Sequence, residues 1–245
     1  MSAPTCPTCK GTGMVGAERC PCIADAEERI RLREGGVPVR YRGFHSVEAW
    51  QRVFGPAPEP LLDWPPPRLD EGTWLVVLYG LPGRGKTGLA TALFAAAQER
   101  LSRQRQAKVR GAWVDVATWI TDMQAGMGRA GGEAEEFRRV RDAPLRLLDD
   151  VLAVRGGRSA ERDGSPWWRE RVADLLRSCE MNWRPTIMTL NLVGRETARE
   201  TGAAERDTWP VGLGDRFDRS LVGRCNVALS FELTGPDRRQ AGGRP

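Results

Sequence analysis

With 245 residues, a formal charge of +5 and 40% hydrophobic residues, the chain is sized for one medium α/β domain plus a small accessory module. It contains no run of about 18 apolar residues and opens on no signal-peptide pattern, so a membrane span is excluded and a soluble, cytoplasmic protein is expected. A single histidine, His45, leaves histidine-based catalytic triads and His-rich metal centres without ligands. The basic balance permits contact with nucleic acid without requiring it, because 34 of the 37 basic residues are arginine and a compositional bias would give the same charge.

Four of the six cysteines crowd into the first 22 residues, spaced Cys6-x2-Cys9-x10-Cys20-x-Cys22. Two close pairs separated by a short loop can place four thiolates tetrahedrally around zinc, and Gly11 and Gly13 permit the tight turn of such a knuckle. The segment has too few apolar residues to fold alone, so the metal would supply its folding energy. A redox pair and unligated thiols are the alternatives; a redox Cys-x-x-Cys normally follows a strand inside a βαβ unit. A closed four-cysteine site serves shape or recognition, since no coordination position is left for catalysis. Cys179 and Cys225 stand alone.

Residues Ile23 to Glu34 read as a charged helix stopped by Gly35 and Gly36, and Val37 to Tyr41 as an extended link. Pro56 to Pro67 carries six prolines in twelve residues, which predicts irregular structure and a spacer. The stretch before it is placed to pack on the core and cover a nucleotide base.

Trp74 to Tyr79 is a short apolar strand feeding Gly80-x-x-x-x-Gly85-Lys86-Thr87, and a helix-prone stretch from Gly88 to Arg103 follows. Strand, glycine-rich loop and helix in that order form the setting of a phosphate cradle, with backbone N–H groups and the helix N-terminus facing the anion. From this composition about 0.003 such matches are expected by chance. Only three lysines exist, Lys10, Lys86 and Lys108, yet the loop keeps one, whose compact ammonium suits a crowded phosphate site. Gly80, Pro82, Gly83, Arg84, Gly85, Lys86, Thr87 and Gly88 are the expected nucleotide-binding residues. Lys86 would neutralise the β and γ phosphates of ATP and Thr87 would offer a hydroxyl to Mg²⁺.

Lys108 to Val114 predicts a second strand, Val116 to Met127 a helix, and Glu133 to Arg141 a short charged helix stopped by Pro144. Leu145 to Asp150 reads as an apolar strand, interrupted by Arg146, that ends in two carboxylates. A strand delivers its last side chains to the carboxyl edge of a parallel sheet, where ligands of open α/β folds bind. Asp149 would hold Mg²⁺ through water and Asp150 would act as general base; an acidic helix cap is the plain alternative. Ser165 and Pro166 cap a helix expected from Trp167 to about Asn182. Pro185 to Asn191 is another buried strand ending in an amide, which would orient the lytic water or simply form a turn. Leu213 to Leu221 is short and helical, Cys225 to Phe231 a last strand, and Arg238 and Arg239 lie in a polar tail. Arg216 or Arg219 would reach a neighbouring subunit's γ-phosphate as an arginine finger, against the plain alternative of solvated charge.

Together these residues resemble an AAA+ ATPase of the DnaC/DnaI/IstB type, helicase loaders and transposition helpers. The cysteine cluster, then Arg29-Ile-Arg31 and Gly36-Val-Pro-Val-Arg-Tyr41, is similar to the zinc-bearing loaders. Asp149-Asp150 is similar to the family's Walker B ending, Arg184-Pro-Thr-Ile-Met-Thr-Leu-Asn191 to its sensor strand, and Asp218-Arg219 to the element before its last strand. The resemblance implies a five-stranded parallel sheet in the order 5-1-4-3-2, no helical lid domain, Arg219 as the preferred finger for self-assembly and Arg238 near the nucleotide. It also implies a hexameric replicative helicase and single-stranded DNA as partners, with Asp122 to Asp142, carrying Arg129, Arg138, Arg139 and Arg141, bordering the DNA, against the plain alternative of a solvated helix face. Gly88, where many relatives have histidine, Arg146 within the Walker B strand, and the polar insert Arg155 to Gly164 depart from the pattern. The domain plan is a zinc-binding module and helix at 1–34, a linker at 35–70, the ATPase domain at 71–235 and a tail at 236–245. Three functions compete: a slow, assembly- or DNA-dependent ATPase that loads the helicase, a transposition-helper ATPase, and a nucleotide-switched zinc adaptor that barely hydrolyses ATP. The cysteines favour the first over the second, and the intact Lys86, Thr87, Asp149 and Asp150 disfavour the third.

Overall fold

The computed structural model describes residues 6–66, 74–126, 132–152, 167–214 and 229–234. Its centre is a five-stranded sheet made of β3 (Leu75–Tyr79), β4 (Ala112–Asp115), β5 (Arg146–Asp149), β6 (Thr186–Leu190) and β7 (Leu229–Glu232). All pairings are parallel, and the spatial order is β4-β5-β6-β3-β7. Numbered from the strand before the glycine-rich loop, that is 5-1-4-3-2, the order the sequence resemblance implies. Near-continuous apolar strands suit a sheet covered on both faces.

The side-chain alternation of the strands divides the core in two. Leu75 and Val77 of β3, with Leu148 and Met188, face helices α4 (Val116–Gly126), α5 (Gly132–Asp142) and α6 (Trp167–Met181), where Trp119, Val140, Val172 and Leu176 are buried. Val76 and Leu78, with Leu147 and Ile187, face α3 (Lys86–Arg105), which buries Leu89, Leu93, Phe94 and Leu101. A second helix on that face, α1 (Pro21–Glu34), adds Leu32, and the Gly35 carbonyl just beyond it accepts the Trp113 N–H at 2.7 Å. Glu34 pairs with Lys108 at 2.7 Å. Ahead of α1 lies a two-stranded hairpin, β1 (Met14–Val15) with β2 (Glu18–Arg19), between the two cysteine pairs.

The stretch before the proline-rich segment packs on the core. Val39–Tyr41 forms a 3-10 turn rather than an extended link, and Val37 beside it is fully buried. Ser46 then caps α2 (Val47–Phe54) by accepting the Ala49 N–H at 3.1 Å, a helix the sequence reading passed over. The proline-rich stretch holds one 3-10 turn, Glu59–Leu61, and packs on the core. Leu61 and Trp64 insert into the α3 face, and the Arg100 guanidinium donates to the carbonyls of Leu62 at 3.1 Å and Pro65 at 3.3 Å.

Arg146 also has a structural reason. It is fully buried, its Nε donates to the Val140 carbonyl at 2.7 Å, and its Nη2 donates to the Arg141 carbonyl. A cation is thus placed on the last carbonyls of α5, where the helix dipole favours it. Two short helices complete the described chain, α7 (Arg195–Thr201) and α8 (Val211–Gly214). Among the described residues, no helix is long and apolar enough to cross a membrane.

Candidate nucleotide and metal sites

At the carboxyl edge of the sheet the loop after β3 wraps a cavity of about 540 Å³, a volume in the range of cofactor and nucleotide pockets. Gly83, Gly85, Lys86, Thr87 and Gly88 line it, together with Asp149, Asp150 and Asn191 from the ends of β5 and β6. Pro82 and Arg84 ride on the loop without lining the cavity, and Gly80 sits at the loop's start. Lys86, the first residue of α3, is buried, and its Nζ donates to the carbonyls of Gly80 and Leu81, each at 2.9 Å. Its charge is therefore held by loop carbonyls at the place where phosphate oxygens would compete for it.

The acidic pair is bound into this loop. Asp149 Oδ1 accepts the Thr87 hydroxyl at 2.8 Å and the Thr189 hydroxyl at 2.7 Å. Burial raises the Asp149 carboxyl to about 6, against the opposing effect of those two hydroxyl groups and with further upward push from Asp150 and Asp115. A hydroxyl beside a carboxylate, both facing the cavity, is the oxygen-rich donor set that suits Mg²⁺. Asp150 occupies a left-handed backbone conformation, φ 53°, and its Oδ1 accepts the Asn191 amide at 2.6 Å. Asn191 is therefore engaged with the acid at the end of the neighbouring strand.

The stretch expected to cover a nucleotide base supplies another wall, though sequence alone does not name its residues. Arg40, Tyr41, Phe44 and Phe54, from the segment before β3, line the cavity, and Asp115 at the end of β4 reaches it in register with Asp149. The Trp50 indole donates to the Gly85 carbonyl at 3.0 Å and stacks on Phe54, with ring centroids 5.2 Å apart. This aromatic lid explains two glycines. A Cβ on Gly88 would lie 3.1 Å from Phe44 and 3.2 Å from Trp50, so any side chain at this position would press against these rings. A Cβ on Gly85 would come within 2.7 Å of the Phe54 ring, at a φ of 82° that already favours glycine. Gly85→Ala is expected to lose about 1–3 kcal/mol, a fall of several degrees in the thermal midpoint. An unchanged melting curve would show that α2 is not seated on the loop.

The second cluster is at the amino terminus. The four Sγ atoms of Cys6, Cys9, Cys20 and Cys22 lie within 4.8 Å of one another. Cys6 and Cys20 are 3.9 Å apart and Cys9 and Cys22 are 3.5 Å apart, close to the roughly 3.8 Å edge of a tetrahedron with 2.3 Å zinc–sulfur bonds. Turns set this up: the Lys10 N–H reaches the Cys6 carbonyl, and Lys10, Gly11 and Gly13 all take positive φ. Backbone N–H groups of Cys9 and Thr8 draw the Cys6 thiol down to about 6, which favours the thiolate a metal requires. The residues fit zinc.

Arg216, Arg219, Arg238 and Arg239 lie outside the described residues, as do Arg129, Ser165, Pro166, Cys225 and the insert Arg155 to Gly164. On α5, Arg139 pairs with Glu136 at 2.7 Å and Arg141 with Asp142 at 2.9 Å, while Arg138 Nε donates to the Ala134 carbonyl at 3.0 Å. That helix carries four carboxylates against three guanidinium groups.

The parallel 5-1-4-3-2 sheet, with the glycine-rich loop after its first strand and paired acids at its third, is an α/β fold of the P-loop type, preceded by a four-cysteine module. Among solved structures the chain is similar to the DnaC helicase loader, at 22% identity and TM-score 0.48 over 67% of this chain and 80% of that one. It is also similar to DnaI, at 19% identity and TM-score 0.44 over 86% and 93% of the two chains. Domain III of the Thermotoga maritima replication initiation protein DnaA follows at 18% identity and TM-score 0.45, over 71% of this chain and 59% of that one. No protein-family model matches the sequence, nor does any curated protein.

Proposed function

We propose that the chain is an ATP-hydrolysing assembly factor that loads a hexameric replicative helicase onto single-stranded DNA. The observation that carries the ATPase is the junction of Thr87, Asp149, Asp150 and Asn191 at one edge of the sheet, beside Lys86. The triphosphate would lie along the loop, with the base toward Tyr41, Phe44 and Phe54. Lys86 would leave its two carbonyl acceptors for the β and γ phosphates. Mg²⁺, held by Thr87 and through water by Asp149, would neutralise charge on the same phosphates. Asp150 would take a proton from water as its oxygen bonds to the γ-phosphorus, and the bond to the β–γ bridging oxygen breaks to release ADP. Asn191 would hold that water, and Arg219 of a neighbouring protomer would complete the site. Arg238 would close over the nucleotide from the tail.

The loader assignment, over a transposition helper, rests on the four cysteines gathering into one module that joins the core through α1. The test is size exclusion with light scattering of the purified chain, with ATP and the hexameric helicase of the same source. A stable co-eluting complex is expected. No complex, together with ATP-driven filaments on duplex DNA, would replace the loader by the transposition helper.

A further inference from the structure

We infer that Thr189 is a positioning residue of the hydrolytic site, holding the side chain of Asp149 and the backbone of Asp150 through one hydroxyl group; the inference rests on the ATPase function proposed above. Thr189 is 1% exposed in a strand of otherwise ordinary β-formers, and a buried hydroxyl must be satisfied. Its single proton goes to Asp149 Oδ1 at 2.7 Å, and its oxygen accepts the Asp150 N–H at 2.8 Å. The same Asp149 oxygen accepts the Thr87 hydroxyl, so two threonines from different elements fix one carboxylate.

Asp150 needs the second bond. Its φ of 53° is sparsely populated by residues other than glycine and persists where surrounding contacts hold it. The Thr189 oxygen anchors that backbone, and Asn191, two residues further along the same strand direction, holds the carboxylate at 2.6 Å. Side chains two apart along a strand share a face, so β6 reaches both acids from one side. Asp149 is set by a hydroxyl, and Asp150 by a hydroxyl at its nitrogen and an amide at its carboxylate. The Thr189 hydroxyl bonds to the two acids and to neither the aromatic wall nor the Lys86 ammonium, so Thr189 should bear on turnover more than on nucleotide affinity.

The test compares wild type, Thr189→Val and Thr189→Ser in steady-state ATPase assays, with fluorescent-ATP titration and thermal melting of each. Valine keeps the shape and removes both the donor and the acceptor; serine keeps them. The expected result is a kcat about 10–100-fold lower for T189V, as for loss of a hydrogen bond to a charged group. Nucleotide affinity should stay within about threefold and T189S should restore kcat to within about threefold of wild type. Unchanged kcat in T189V would overturn the inference. So would equal impairment of both variants, or a loss that follows nucleotide affinity or the melting temperature. A wild type with no turnover at all would instead remove the ATPase function itself.

Discussion

Lys86→Ala is expected to lower ATP turnover about 10²–10³-fold, with ATP binding weakened in parallel and the fold intact. The ammonium is buried and donates to the carbonyls of Gly80 and Leu81. Those carbonyls are partial charges that a phosphate can outcompete. A unit charge about 4 Å from a phosphate oxygen at a half-shielded site contributes about 4 kcal/mol, and each 1.4 kcal/mol is tenfold in rate or affinity. Lys86→Arg is not expected to rescue, because the planar guanidinium is wider than the ammonium and the loop closes on the lysine tip from two sides. Steady-state turnover with a nucleotide titration of both variants reads the effect, and a melting curve shows whether the helix that begins at Lys86 survives. Unchanged turnover would mean that this cavity does not hold the substrate.

What could be read in the chain beforehand divides along physical lines. The loop residues Gly80 to Thr87 are contiguous, and the backbone that cradles an anion is written in consecutive letters. Asp149, Asp150 and Asn191 were visible because a strand edge is a local feature: an apolar run ends and polar residues follow. The cysteine cluster was legible from spacing alone.

Thr189 was not, because threonine is an ordinary strand former and its partners lie about 40 residues away on β5. The individual residues of the aromatic wall could not be named for a related reason. Prolines around residues 56–67 correctly forbid long regular elements, yet they say nothing of whether Trp50, Phe54, Leu61 or Trp64 finds a surface to cover. Arg146 read as a blemish in an apolar strand. Its explanation required knowing that α5 ends above the start of β5, so that a buried guanidinium meets free helix carbonyls. The arginines of α5 read in sequence either as a border for nucleic acid or as a solvated helix face, and in three dimensions Arg139 and Arg141 lie beside carboxylates of their own helix.

Removal of zinc is expected to separate the two halves of the molecule. Between Cys6 and Cys22 only Cys9 and Cys20 are buried among the side chains described, and the hairpin has two residues per strand. Such a segment buries too little apolar surface to offset its chain entropy, whereas structural zinc contributes on the order of 10 kcal/mol. The core has no such dependence. Its two apolar layers share the sheet, and α1 is anchored at its far end by Leu32 and by the hydrogen bond from Trp113 to Gly35. The purified chain should therefore carry one zinc, released by a strong chelator or by Cys9→Ser. The amino-terminal segment should then become protease-sensitive up to the first turns of α1. Basal ATPase activity and the main melting transition should change little, while co-elution with the helicase is lost. Metal analysis, limited proteolysis and the ATPase assay on one preparation read all three. A wild-type protein isolated without metal, yet protected at residues 6–22, would refute the zinc site. Loss of ATPase activity along with the metal would show that the module supports the nucleotide cavity through α1 and the aromatic wall, in place of serving only as a handle for a partner.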